Sequence, residues 1–164
     1  MKFIATDVDD SLARMSSKVQ ESRAHPGRAI DPYFYRSHLV YQQELDQLIF
    51  RSWLYAGHVS EIPEPGEYLL FEIGEDSLII VRDESGEVRC LMNVCRHRGA
   101  RVCEEVRGKR KTFVCPYHGW VYRTDGSLKA ARDMEMLEGF DSAAYGLKQA
   151  RVQVYMGMIF INCD

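Results

Sequence analysis

Apolar residues recur at helical spacing in one stretch of this chain and otherwise fall into short runs punctuated by Gly, Asp and Pro. Ser37 has the chemistry of a helix N-cap, and Tyr41, Leu45, Leu48 and Ile49 follow at helical spacing, with Trp53 just beyond. This pattern predicts a helix over residues 38–51. Pro63, Pro65 and Gly66 then break the chain. Strand-like runs follow at 67–73, 77–82 and 87–94, with an Asp-Glu-Ser-Gly turn at 83–86. Further runs lie at 111–114, 121–123, 151–155 and 158–161, and Asp125-Gly126 is a two-residue hairpin signal. Residues 135–140 could form a short helical turn. Such short segments between turns favour a mainly β fold, a small antiparallel barrel or sandwich preceded by an N-terminal helix.

Residues 1–31 mix Ser, Asp, Lys and Arg, carry His25-Pro26-Gly27 and show no sustained apolar period. They read as a disordered or surface-hugging arm. The resulting organisation is an arm over 1–36, a helical lead-in over 37–60 and a β domain over 61–164. A chain of 164 residues suits one domain with a modest core. The net charge of −3 argues against a nucleic-acid partner. No apolar run is long enough for a membrane span. Lys2, Phe3 and Ile4 begin like a leader, but Asp7, Asp9 and Asp10 interrupt it before an apolar core forms, so a cytoplasmic protein is expected. Five cysteines without export signals suit a reducing compartment and ligand chemistry better than a disulfide frame.

Two boxes carry that chemistry: Cys95-Arg-His97-Arg-Gly99 and Cys115-Pro-Tyr117-His118-Gly119-Trp120. Each places a soft thiolate and a borderline imidazole a few residues apart. Gly99 relieves crowding after the first pair, and Pro116 fixes φ just after a ligand in the second. A zinc finger would pair Cys with Cys and His with His, which this interleaved order fits poorly. A Cys–His nucleophile pair lacks an evident third group to orient it. The pattern is the ligand set of a Rieske [2Fe–2S] cluster, with two thiolates on one iron and two imidazoles on the other.

Over residues 32–164 the chain resembles the α subunit of Rieske non-haem iron oxygenases. The boxes carry the resemblance, and Ile49-Phe50-x-x-Trp53 is similar to the helix end that precedes the cluster domain there. The resemblance implies a Rieske-type barrel or sandwich with two cluster-binding hairpin loops. Cys95, His97, Cys115 and His118 would hold the cluster, leaving Cys90, Cys103 and Cys163 as buried free thiols. It also implies that Trp120 packs close to the cluster. Trp120 and Tyr117 read either as core or interface packing or as aromatic groups acting beside the cluster, and Tyr122 is a candidate donor to a ligand sulfur. The respiratory Rieske type has a disulfide where this chain has Ala100 and Tyr117, and a serine donor where it has Trp120. Without that hydroxyl the potential is expected toward the lower part of the Rieske range, about −150 mV.

Arg96, Arg98, Arg101, Arg107, Lys109, Arg110 and Lys111 face only Glu104 and Glu105 in sequence. They form either a solvated loop or a docking surface for an acidic electron-transfer partner. In the family a second domain supplies a 2-His-1-carboxylate mononuclear Fe(II) that activates O₂. The remaining histidines, His25, His38 and His58, precede the cluster and lack that site's pattern, with packing or capping expected of His58. The catalytic domain is therefore expected to be absent, with no catalytic residue in this chain and His118 as the electron exit. The resemblance further implies a homotrimer of full subunits and a flavin/[2Fe–2S] reductase or a ferredoxin as electron donor. A stand-alone Rieske ferredoxin is the alternative; such carriers start near residue 67, and the preceding helix favours the subunit. Ala131-Arg132-Asp133-Met134 resembles oxygenases of quaternary ammonium compounds, whereas Cys-Pro-Tyr-His-Gly-Trp is common in those hydroxylating aromatic rings.

Overall fold

The structure is a computed structural model that describes residues 9–134 and 136–164. The chain divides into two compact units, Met1–Ser52 and Trp53–Asp164. In the first, helix α1 spans Leu12–Ala24, so the stretch expected as a disordered or surface-hugging arm is helical over these residues. The Ser11 side chain caps it by accepting from the Arg14 N–H. Lys18 pairs with Glu21 at 3.1 Å and Asp31 at 2.7 Å. No residue of α1 is buried. A helix held by a cap and ion pairs leaves no apolar period to read. The residues of the leader-like start, 1–8, lie outside the described residues.

A 3₁₀ turn at Pro32–Tyr35 follows. Helix α2 spans His38–Glu44, with Ser37 as its cap, and continues as a π-helical turn at Leu45–Ile49. The expected single helix over 38–51 is therefore two kinds of helix, because the Phe50 N–H bonds back to Leu45 O at 2.9 Å. The Asp10 carboxylate ties the unit together, accepting from Ser37 Oγ at 2.7 Å, Tyr33 Oη at 2.8 Å and the Leu39 N–H at 3.0 Å.

The second unit is antiparallel β. Strands β1 (Leu54–His58), β2 (Glu67–Ile73), β3 (Asp76–Arg82), β4 (Val88–Met92), β5 (Arg107–Lys109), β9 (Gln149–Tyr155) and β10 (Met158–Asn162) form one sheet. Their order is β1-β10-β9-β4-β3-β2-β5. Strands β6 (Thr112–Val114), β7 (Val121–Arg123) and β8 (Leu128–Ala130) form a second sheet, in that order. Strand β1 falls within the stretch read as helical lead-in. It pairs with β10 across a bulge at Tyr55/Gly57, and the small Ala56 and Gly57 at its middle leave no apolar alternation to read. Strands β5, Arg-Gly-Lys with every residue exposed, and β8, Leu-Lys-Ala, also went unread, because neither carries the β-branched or aromatic residues that mark a strand.

Strand β3 is central. Ser77, Leu78, Ile79, Ile80 and Val81 are all buried, so both of its faces are covered. One face carries Ile79 and Val81 into a core shared with Tyr68, Leu91, Phe113, Trp120, Tyr122 and Leu128, which joins the two sheets. Tyr68 meets Phe113 edge-on, ring centroids 5.4 Å apart.

The turns follow their residue chemistry. Asp83 heads the 83–86 turn, accepting from the Ser85 N–H, Ser85 Oγ and the Glu87 N–H, and pairs with Arg89 at 2.9 Å. At Asp125-Gly126 the loop holds three residues, not two. The Arg123 N–H closes onto Ser127 O, and Gly126 takes φ 87° as the left-handed residue of a bulged hairpin. Residues 131–134 and 136–140 run as turns, and a 3₁₀ turn at Ser142–Tyr145 follows them; Glu135, the first residue of the expected helical turn, lies outside the described residues.

Asp83 also sets a pH dependence. Burial raises its carboxyl, but hydrogen bonds from Ser85, Arg89 and the backbone outweigh it and hold the group below its ordinary 3.8. Its stabilisation is complete above that unfolded-state value and is lost as pH falls through the lower folded one. Asp83→Ala should cost about 1–3 kcal/mol at pH 7. Urea titrations should show the difference from wild type shrinking below pH 4.

Candidate metal centre

The two boxes fold as the same turn. In the first loop the Cys95 N–H donates to Ala100 O at 2.8 Å and the Gly99 N–H to Cys95 O at 2.9 Å. In the second the Cys115 N–H donates to Trp120 O at 2.8 Å and the Gly119 N–H to Cys115 O at 3.0 Å. Gly99 and Gly119 sit at φ 75° and 72°, the left-handed region that lets each turn close. The histidine is the third residue of one turn and the fourth of the other. That offset is why the boxes read as Cys-x-His and Cys-x-x-His.

The donors separate into two pairs. Cys95 and Cys115 are buried, 3% and 2% exposed, and their thiols interact. His97 and His118 stand half-buried at the rim, ring centroids 4.6 Å apart. No three His, Cys, Asp or Glu side chains among the described residues group so as to hold one metal ion. A two-iron cluster needs two ligands per iron, which is what these pairs provide. The buried His97 Nδ1 has no hydrogen-bond partner among the described residues, as a ligand nitrogen turned toward a metal would not.

The electrostatics agree with ligand roles. Burial pushes the Cys115 thiol up, and nearby Cys95 adds to this, against hydrogen bonds from the Tyr117 and His118 N–H groups. Such a thiol is a poor nucleophile in water and ionises on binding a metal. Burial, with His118 and Arg98 close by, lowers the His97 value and favours the neutral imidazole that binds metals. The residues present therefore fit a Rieske cluster.

Three further side chains shape the pocket. The Tyr122 hydroxyl, on β7, lies 3.2 Å from Cys95 Sγ and accepts from the Arg96 N–H at 3.0 Å. Either atom can donate across this contact while Cys95 is a thiol; a Cys95 thiolate can only accept, and the hydroxyl proton then goes to sulfur. The Trp120 indole is 1% exposed and stacks parallel on His97, centroids 4.9 Å apart at 5°. Phe140 and Tyr145 make T-shaped contacts with it, ring centroids 6.1 and 5.7 Å away. Tyr117 is 61% exposed and so takes no part in the core, and its ring lies 3.9 Å from that of His118. Position 117 is at the tip of the loop, beyond reach of the core.

Sequence reasoning passed over Asn93, a fully buried amide two residues before Cys95. Its Oδ1 accepts from the Val102 and Cys103 N–H groups at 3.0 and 2.9 Å, and its Nδ2 donates to Cys103 O at 2.6 Å and Ser77 Oγ at 3.1 Å. A polar residue within the apolar run that ends β4 was the available signal. The basic stretch is largely tied down: Arg101 pairs with Glu72, Arg107 with Glu61, Lys109 with Glu64 and Arg110 with Glu105. Arg96 and Arg98 stand exposed at the loop tip. His58, away from the centre, caps a 3₁₀ turn through Nδ1, as a capping role requires. Cys90, Cys103 and Cys163 are free thiols, the first two buried.

Residues 52–141 match the Rieske [2Fe-2S] domain family. The chain is 41% identical over 136 residues to the biphenyl 2,3-dioxygenase α subunit of Rhodococcus jostii strain RHA1, covering 82% of this chain and 30% of that one. It is 37% identical over 165 residues to the glycine betaine monooxygenase oxygenase subunit of Chromohalobacter salexigens, covering 99% and 37%. The crystal structure of the apo form of CntA, a quaternary ammonium Rieske monooxygenase, superposes with a TM-score of 0.75 at 33% identity, covering 80% of this chain and 38% of that one. The chain thus spans about a third of the length of these curated relatives. No helix among the described residues is long and apolar enough to cross a membrane. With two matched turns presenting paired thiols and imidazoles inside the matched region, the chain belongs to the Rieske [2Fe-2S] domain family.

Proposed function

We propose that this chain is the electron-delivering part of an oxygenase α subunit, with Cys95, His97, Cys115 and His118 holding a Rieske [2Fe–2S] cluster. The pairing of two buried thiols beneath two rim imidazoles is the observation that carries the reading. When bound, such a cluster accepts and releases one electron at a time. The protein keeps Cys95 and Cys115 away from water and directs the Tyr122 hydroxyl at Cys95. The Trp120 ring holds the His97 plane. His118, half-exposed beside Tyr117, offers the edge at which an electron acceptor comes within reach. In this reading that acceptor is the mononuclear iron of a catalytic domain, met across subunits of a trimer, and a flavin/[2Fe–2S] reductase or ferredoxin is the donor. The similarity to α subunits across 82–99% of this chain supports the subunit over a free carrier.

Potentiometric titration of the reconstituted protein followed by EPR tests the reading. The expected potential is about −150 mV, and Tyr122→Phe, which removes a donor to sulfur, should make it more negative. A strongly positive potential, or protein that takes up zinc alone, would overturn it.

A further inference from the structure

We infer that Asn93 is a positioning residue, standing in for a missing β ladder at the neck of the first ligand loop. The two loops are alike at their tips but differ at their bases. Directly below Cys115 and Trp120, the second loop is closed by backbone pairing of Val114 with Val121, Phe113 with Tyr122 and Thr112 with Arg123. The first has no such ladder. Strand β4 ends at Met92, and its neighbours are β3 and β9. The returning chain joins a strand only at β5, which pairs with β2.

The Asn93 side chain fills this place. It accepts two backbone N–H groups and donates to one carbonyl across the neck, much as a neighbouring strand would. Its remaining N–H goes to Ser77 Oγ on β3, and its own backbone N–H to Ser77 O at 2.9 Å. The amide is fully used. Asn93 is 0% exposed, and Val102 and Cys103 are 5% and 4% exposed, so solvent is poorly placed to replace lost bonds. One buried side chain therefore ties the two arms of the first loop to each other and to β3, and Tyr122 ties that loop to the second.

This inference rests on the cluster reading, yet its first test does not need the cluster. In the apo 164-residue chain, Asn93→Ala should accelerate amide hydrogen exchange at Val102 and Cys103 while the β7 amides stay slow. After reconstitution, the same variant should lose its cluster to a chelator faster by roughly 10–100-fold, with shifted EPR g values. Asn93→Asp keeps the accepted bonds but not the donated ones and should fall between it and wild type. Ser77→Ala removes one bond of four and should move exchange at Val102 and Cys103 least. If Asn93→Ala does not fold, these two milder variants carry the comparison. Exchange and cluster-loss rates equal to wild type would overturn the inference, as would equal acceleration across β7, which would mean general loosening. A wild-type chain that takes up no [2Fe–2S] cluster would instead sink the function proposed above and leave the exchange test standing.

Discussion

Cys115→Ser should yield a folded protein that stays colourless after anaerobic reconstitution. Cys115 lies 2% exposed beside Cys95, and a hydroxyl there changes the volume little while removing the soft anionic donor that iron requires. One lost thiolate leaves its iron with a single protein ligand, so the expected loss is complete rather than graded. Cys163→Ser, at a half-buried thiol after β10, should retain full colour and iron content. Absorbance and iron analysis of the two variants side by side decide the matter. A coloured Cys115→Ser protein with two irons per chain would remove Cys115 from the ligand set.

Trp120→Ala should cost about 3–5 kcal/mol, among the largest losses open to a single substitution in this unit. The indole is 1% exposed, stacks on His97, and makes T-shaped contacts with Phe140 and Tyr145. Truncation opens a cavity in the core that joins the sheets and frees the His97 ring to turn. Trp120→Phe should recover much of the stability, since a flat ring still covers the imidazole. Urea unfolding of the apo proteins measures both. A loss below about 1 kcal/mol for Trp120→Ala would show that the site collapses around the missing ring and that the indole is not a support.

The centre was legible because its chemistry is local. Each box places a thiolate, an imidazole and a glycine within one turn, and both turns close through hydrogen bonds of the same sequence separation. The strands bounded by turn residues, such as β2 and β3, were readable for a similar reason. Helix α1 escaped because its caps and ion pairs leave no apolar stripe, and β1 because a five-residue bulged strand is defined by its partner β10. The extra residue in the 124–126 loop depends on a closing bond, Arg123 to Ser127, that a dipeptide signal does not contain.

By itself the sequence determined that Cys and His alternate in two glycine-closed boxes within a β-rich chain, which narrows the metal chemistry to a mixed thiolate–imidazole iron site. Tertiary structure alone decided that the thiols are buried while the imidazoles are partly exposed, which sulfur Tyr122 reaches, which imidazole Trp120 covers, and that Asn93 closes the first loop. The physical reason is separation along the chain. Contacts within a turn follow from neighbouring residues, but a hydroxyl 27 residues from its sulfur meets it only after both sheets have packed on a common core.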